Sequence, residues 1–301
     1  PNLKPETTID YEFGFKQKVS KSSAVTISAY YKEFRNLIQL RKIYNAFPAD
    51  YTTYDNIDFV SSKGINIIYD MRRTGNFKLD ANYILQFAEG TGSDDNSQQY
   101  LVNAGNSNFR TVFPVSSDAR HTINLNLDYR YGEGKEYNGP VIKNKQILAN
   151  FGINLTLRAR SGTPTREQAT VSEEGLIGGS GRGRTTSLNA RLPWNFRADL
   201  RINKDFTFML GKKKEGQEQK RLSLQVFLLI QNLFGTANPL SYYAYTGNAN
   251  DDGYLAAEGS KVNINSQYNP QSFSDLYRAK VNNPENYSLP RRIFLGASFN
   301  F

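Results

Sequence analysis

The stretch SYYAYTGNANDDG holds the densest set of side chains able to engage a ligand. Tyr242, Tyr243 and Tyr245 each join a flat apolar ring to a hydroxyl, a combination that stacks on a sugar, a peptide or a chelate. Asp251 and Asp252 follow closely and add two carboxylates. The competing role for these tyrosines is packing of loop on loop, or a place at a membrane–water interface, where aromatics are enriched. The run NANDDG also invites a calcium reading. Counted from Asn248, the residues Asn250, Asp252 and Gly253 suit an EF-type loop, but Gly259 stands where a bidentate glutamate is required. A tight Asn/Asp/Gly turn fits better, here and at GSDDNS (Gly92 to Ser97). No metal site and no cofactor is expected.

Other chemical candidates are weaker. GLIGGSGRGRTT (Gly175 to Thr186) is glycine-rich but lacks the GK[ST] ending of a phosphate loop, so it reads as a flexible loop. Its Arg182 and Arg184 suit an acidic partner. His121 is the one histidine and has no recognisable nucleophile or carboxylate partner; it reads as a structural lumen or rim residue. No catalytic acid, base or nucleophile constellation assembles, so an enzyme is not expected.

What would position these groups follows from composition and periodicity. Apolar residues make up only 39% of the 301, yet aromatics reach 13%, with 19 Tyr and 19 Phe. Mean hydropathy is −0.58. Disordered chains are poor in aromatics, and soluble cores lean on Leu, Ile and Val. This balance suits a protein with a partly apolar exterior and a wet interior. No apolar run is long enough for a transmembrane helix, which leaves barrel strands open. Absence of cysteine excludes disulfides and thiolate metal sites. The net charge is +9, but the basic residues are scattered, so no nucleic-acid partner is expected; GKKKEGQEQKR (Gly211 to Arg221) is the one concentrated cluster and reads as a solvated hairpin turn.

Nine segments alternate strictly. Their apolar faces run Ile9 to Phe15, Val25 to Tyr31, Ile65 to Met71, Phe77 to Phe87, Ile123 to Tyr131, Ile147 to Ala159, Phe196 to Ile202, Leu222 to Ile230 and Ile293 to Phe301. Asparagines, arginines and aspartates oppose them. Arg158, Arg160, Arg197, Asp199 and Arg201 predict a charge ladder on the wet side of neighbouring strands. The segments exceed ordinary globular strands and match the length of transmembrane ones. Shorter joins (Ser20 to Ser23, Thr74 to Asn76, Gly132 to Lys145, Gly211 to Arg221) alternate with longer ones (Arg41 to Asn56, Ala88 to Arg120, Ser161 to Asn195, Gly235 to Pro290). Short periplasmic turns and long extracellular loops produce this rhythm. The expected fold is all-β: an antiparallel transmembrane β-barrel. A soluble β-sandwich is the alternative. Nine strands is an odd number, whereas bacterial single-chain barrels are even. No basic start followed by an apolar run opens the chain. Residues 1–301 are therefore expected to be the C-terminal portion of a larger barrel, with earlier strands and a plug outside it.

The motifs carry a resemblance. LKPETTIDYEFGFKQ, QNLFGTANP and LPRRIFLGASFNF are similar, in this order, to a barrel strand, a strand exit and the closing strand of TonB-dependent outer-membrane receptors. DDGYLAAEGSK and YRAKVNNPENYSLPRR resemble the subgroup with a carboxypeptidase-regulatory-like N-terminal domain. The resemblance implies about twenty-two strands around a plugged lumen, residence in the outer membrane of a Gram-negative bacterium, and uptake of a scarce nutrient energised through TonB, which would bind a segment N-terminal to Pro1. It implies as partners membrane lipid and lipopolysaccharide, the plug, a surface lipoprotein, and the barrel-assembly machinery. The last would read Ile293, Leu295, Ala297, Phe299 and Phe301. The other function carried forward is a structural barrel that anchors surface proteins through its long loops.

Overall fold

The computed structural model describes residues 3–108, 110–165, 171, 190–210 and 220–300. Nine long strands run β1 (Thr7–Lys18), β2 (Ser23–Ile43), β3 (Tyr51–Thr74), β4 (Phe77–Gly90), β5 (His121–Arg130), β6 (Phe151–Arg160), β7 (Asn195–Leu210), β8 (Lys220–Gln231) and β9 (Arg292–Asn300). Each pairs antiparallel with its sequence neighbour in one continuous sheet. Among the described residues, the α-helices α1 (Gln99–Asn103), α2 (Lys261–Asn265) and α3 (Pro270–Val281) belong to the long loops. No described helix is long and apolar enough to cross a membrane.

Register converts the alternation into two continuous surfaces, because successive side chains point to opposite faces. One row runs Phe15, Ile27, Ile67, Tyr83, Ile123, Ala159, Phe196 across seven strands. A lower one runs Phe77, Tyr129, Ile153, Ile202, Leu228, Leu295. The opposite surface carries rows such as Thr26, Ile68, Asn82, Asn124, Arg158, Arg197. Asparagines bridge neighbouring strands there, Asn82 donating to Asn66 at 2.8 Å and Asn154 to Asn126 at 2.9 Å.

The apolar surface has nothing packed on it. Phe13 is 81% exposed and Leu295 79%. Buried apolar side chains sit mostly in the loops, at Val102, Val115, Tyr243, Tyr254, Tyr277 and Val281, with few on the sheet itself. A soluble sandwich would bury one face of its sheet against a second layer. Lipid is the medium that covers an apolar face this large while every strand interior satisfies its backbone through the ladder.

Aromatics mark where this surface meets its edges. Near the long-loop side the His121 ring stacks between Trp194 (centroids 5.7 Å) and Tyr83 (6.1 Å), and its Nδ1 lies 2.9 Å from the Tyr83 hydroxyl. Tyr83 and His121 occupy apolar-face positions, so the histidine is a rim residue. On the short-turn side Phe77, Tyr129 and Tyr131 form a second cluster. Such girdles flank membrane barrels at both interfaces.

Three boundaries differ from the sequence expectation. The join Arg41 to Asn56 is mostly strand: β2 and β3 continue as a hairpin and the chain turns only between Tyr44 and Asp50. This extension has Thr, Tyr and Asp on both faces, so the apolar alternation that flags a lipid-facing strand is absent from it. Register is interrupted between Phe34 and Ile38, where Asn36 takes φ 57°, and Asn56 donates to its carbonyl at 2.6 Å. Bulges of this kind re-aim a strand. β6 begins at Phe151 rather than Ile147, because Asn150 adopts φ 56° and ends the pairing there. β7 runs on to Leu210, beyond the apolar face predicted from Phe196 to Ile202. The glycine-rich stretch 175–186, most of the basic turn 211–221 and Phe301 lie outside the described residues.

Candidate functional site

The loop from Asn232 to Arg291 folds as a cap on the long-loop edge. Two asparagines of NLFGTANP fasten it. Asn232, at φ 54°, accepts from the Thr236 N–H at 2.9 Å and donates to the Thr236 and Leu289 carbonyls. Its own N–H reaches Asp199 Oδ1 on β7. Asn238 clasps the backbone of Phe196, accepting from its N–H at 2.9 Å and donating to its carbonyl at 2.7 Å. A motif that looks like a strand exit is thus a pair of side-chain staples satisfying backbone groups the sheet no longer pairs.

Inside the cap, Tyr243, Tyr254, Tyr277 and Val281 form a small core with Phe273 and Val171 against it. The Tyr254 and Tyr277 rings stack at 5.0 Å. The Tyr277 hydroxyl donates to Asp252 Oδ2 at 2.5 Å, and Asp252 Oδ1 accepts from the Tyr254 N–H at 3.0 Å. The Tyr243 hydroxyl donates to the Val281 carbonyl at 2.9 Å. NANDDG closes as Asx turns: Asn248 accepts from the Asn250 N–H and Asp251 from the Gly253 N–H. Gly253 sits at φ 81° with the Tyr245 ring against it, so a Cβ there would clash as well as strain the backbone. No group of three or more acidic, histidine or cysteine side chains able to hold a metal occurs among the described residues.

The five predicted ligand residues therefore separate by position. Tyr243 and Asp252 are buried in the cap core. Tyr242 is half-buried beside Tyr287, and burial pushes its phenol up to about 12. Tyr245 and Asp251 are exposed on the cap surface. The calcium-like run is an internal fastening, and its geometry is that of the Asn/Asp/Gly turn expected.

Below the cap the lumen face presents the arginine ladder. Arg197 Nε meets both oxygens of Asp199, at 2.8 and 3.0 Å. Arg201 donates to Gln225 and lies over the Phe227 ring at 4.2 Å. Arg158 and Arg160 are exposed and make no ion pair among the described residues. Across the sheet the same face carries Asp70 and Asp80, paired in register, with Lys16 and Lys78 as neighbours. A further concavity of about 490 Å³ lies higher on this face, lined by Glu12, Tyr30, Lys32, Asn66 and Gln86.

Two clusters escaped sequence reading. Asp118 is fully buried and accepts from the Ala88 N–H at 2.8 Å, Arg120 Nε at 3.0 Å and Arg191. Asp118 and Arg120 are close in sequence, but nothing local signals the distant Arg191. Buried Asp58 accepts from Gln39 Nε2 and Thr91 Oγ1, both at 2.9 Å, which ties the β2–β3 hairpin to the loop after β4.

Comparison with known proteins agrees with this geometry. The structure of P. aeruginosa FpvA bound to heterologous pyoverdines superposes with a TM-score of 0.53 at 11% identity, covering 99% of this chain and 27% of that one. The FpvAI–pyocin S2 complex gives 0.51 at 11% identity, covering 99% and 28%. The ferric-catecholate import receptor Fiu from K12 E. coli gives 0.48 at 14%, covering 99% and 28%. The chain thus spans little more than a quarter of the length of these solved structures, and at such identity the likeness to the first two shows the fold alone. No curated protein matches the sequence. The family model described as TonB dependent receptor-like, beta-barrel matches residues 1–227, three quarters of the sequence, and the chain belongs to that family.

Proposed function

We propose that this chain is one flank of an outer-membrane receptor in a Gram-negative bacterium, which captures a scarce nutrient at its extracellular cap and admits it when energised through TonB. The observation that carries this reading is a rigid, tyrosine-bearing cap over a polar lumen wall, in a chain of this family. Binding and gating are the activity; no bond is made. Tyr245 and Asp251 contact the ligand, with Tyr242 beside them, while Tyr243 and Asp252 hold the surface in shape. The arginine ladder faces a plug contributed by residues outside this chain, and TonB engages a segment there too. Outward Arg35 and Lys63, just above the aromatic rim, suit lipopolysaccharide phosphates. The outward row Ile293, Leu295, Ala297, Phe299, with Phe301 after it, serves the barrel-assembly machinery.

The test is nutrient depletion by a deletion strain complemented with the full-length receptor. Wild type should restore uptake of one nutrient class only when TonB is present, and Tyr245→Ala with Asp251→Ala should reduce it at least tenfold, about 1.4 kcal/mol of binding. Uptake that ignores TonB contradicts the proposal. A second reading, a scaffold for a surface lipoprotein, has its own observation: Val262, Tyr268 and Leu276 stand exposed on the cap. Copurification of a surface protein without any uptake would favour it.

A further inference from the structure

The connection between β5 and β6, from Tyr131 to Asn150, is long for a short-turn edge and is rigidly built. It contains a miniature hairpin, Val141–Ile142 paired with Lys145–Gln146, closed by Lys143 and Asn144 at φ 49° and 57°. Both turn residues have positive φ, as a two-residue type I′ hairpin requires. Gln146 exchanges two 2.9 Å hydrogen bonds with the Gly134 backbone, and the Tyr137 hydroxyl donates to the Pro140 carbonyl while accepting from the Leu148 N–H.

This hairpin is tied to the lipid side of the sheet. Tyr129 and Tyr131 are two apart on the apolar face, and the Tyr137 ring lies 5.9 Å from that of Tyr131. Asn76 Nδ2 bridges the Tyr129 hydroxyl and Asn138 Oδ1, at 3.0 and 2.8 Å. Lys204, paired with Phe151 and Val226 on the apolar face, donates to the carbonyls of Ile147 and Ala149. The connection therefore continues the lipid-facing surface. At its free end Val141, Ile142 and Ile147 are 57%, 56% and 44% exposed. Ile142 is paired with Lys145, so these two share a face of the hairpin, and Ile147 follows in the turn just beyond it. Lys135, Lys143 and Lys145 are exposed, against Glu136 and a Glu133 that Asn150 holds.

We infer that this hairpin is an interfacial anchor for the inner leaflet: Ile142 and Ile147 rest at the acyl border, and Lys143 and Lys145 meet the phosphates of anionic phospholipid. Apolar side chains beside lysines on a continuation of a lipid-facing surface match the chemistry of the headgroup boundary, which extends about 5–10 Å in depth. Lysine stems reach across apolar surface while their charges stay at the phosphates. The anchor would fix the depth of the β5–β6 edge, where the sheet carries its second aromatic cluster. The inference rests on the transmembrane reading of the strands, and the test separates the two.

Nitroxide labels placed singly at Ile142→Cys, Leu295→Cys and Tyr268→Cys in the full-length receptor, reconstituted in phosphatidylglycerol-containing nanodiscs, report oxygen against nickel-chelate accessibility. Leu295 should be lipid-like and Tyr268 water-like. Ile142 should exceed Tyr268 severalfold, and Lys143→Glu with Lys145→Glu should return it towards the Tyr268 value without moving Leu295. A water-like Ile142 beside a lipid-like Leu295 overturns the anchor. A water-like Leu295 overturns the transmembrane reading first. An Ile142 ratio indifferent to the lysine change, or unchanged in wholly zwitterionic discs, overturns the anionic-lipid assignment.

Discussion

The strand wall and the cap of this molecule are held by opposite means. The wall has almost no interior. Its strands are joined by backbone ladders, with one face left to lipid and the other lined by asparagine and arginine. The cap has no ladders, and its order comes from buried side chains that satisfy one another or the backbone: Tyr277 on Asp252, Tyr243 on the Val281 carbonyl, Asn238 on the Phe196 backbone. Between them, Asp118 joins cap-side loops to β4 through two arginines and a backbone N–H. On this account the wall should accept polar exchange on its lumen face but not on its lipid face, and the fold of the cap should accept change at its surface but not at its buried polar groups.

The largest expected effect lies at the junction. Asp118→Ala removes the buried carboxylate shared by two guanidinium groups and an amide, and should cost about 3 kcal/mol. Hydrogen exchange should rise at 88–120 and 190–194 while β6 to β8 stay protected. Uniform loosening of the sheet would break the distinction drawn here. Next, Leu295→Arg puts a charge in lipid and should cost about 2–4 kcal/mol at mid-bilayer depth, read as a fall in the urea midpoint. Tyr268→Arg on the cap should leave that midpoint unchanged. Tyr277→Phe, which takes a donor from the buried Asp252 carboxylate, should cost about 2 kcal/mol, confined to the cap and visible as faster proteolysis between 235 and 290. The smallest effect is pH-dependent. An ordinary tyrosine ionises near 10, while Tyr242 in the folded cap does so at about 12. The unfolded chain therefore holds fewer protons between those values, and folded-state stability falls as pH rises through that window. Tyr242→Phe should flatten this slope and leave the neutral-pH stability nearly intact.

This contrast also explains what the sequence disclosed. That residues such as Phe77 and Leu295 share one face follows from period two, and the nine strands and the lipid face were readable from it; the register that aligns them in rows was not. The β2–β3 extension was not, because neither of its faces lies against lipid and one is partly covered by the loop after β4, so nothing there demands apolar alternation. The turn at NANDDG was legible because Asn, Asp and Gly act on their own backbone. Its depth was not: whether Asp252 faces solvent or Tyr277 depends on α3, far along the chain. For the same reason Tyr243 and Tyr245, two residues apart and alike in sequence, end in opposite settings, one in the cap core and one on its surface.

The most direct test of the wall-and-cap account is a topology measurement on intact cells, with a membrane-impermeant maleimide and single cysteines at Phe47, Tyr268 and Lys21 of the full-length receptor. Phe47 lies at the β2–β3 tip, Tyr268 on the cap and Lys21 in the turn between β1 and β2. The account predicts labelling of Phe47→Cys and Tyr268→Cys on untreated cells, and of Lys21→Cys only after the outer membrane is permeabilised. Labelling of all three on untreated cells, or of Lys21→Cys alone, would contradict it.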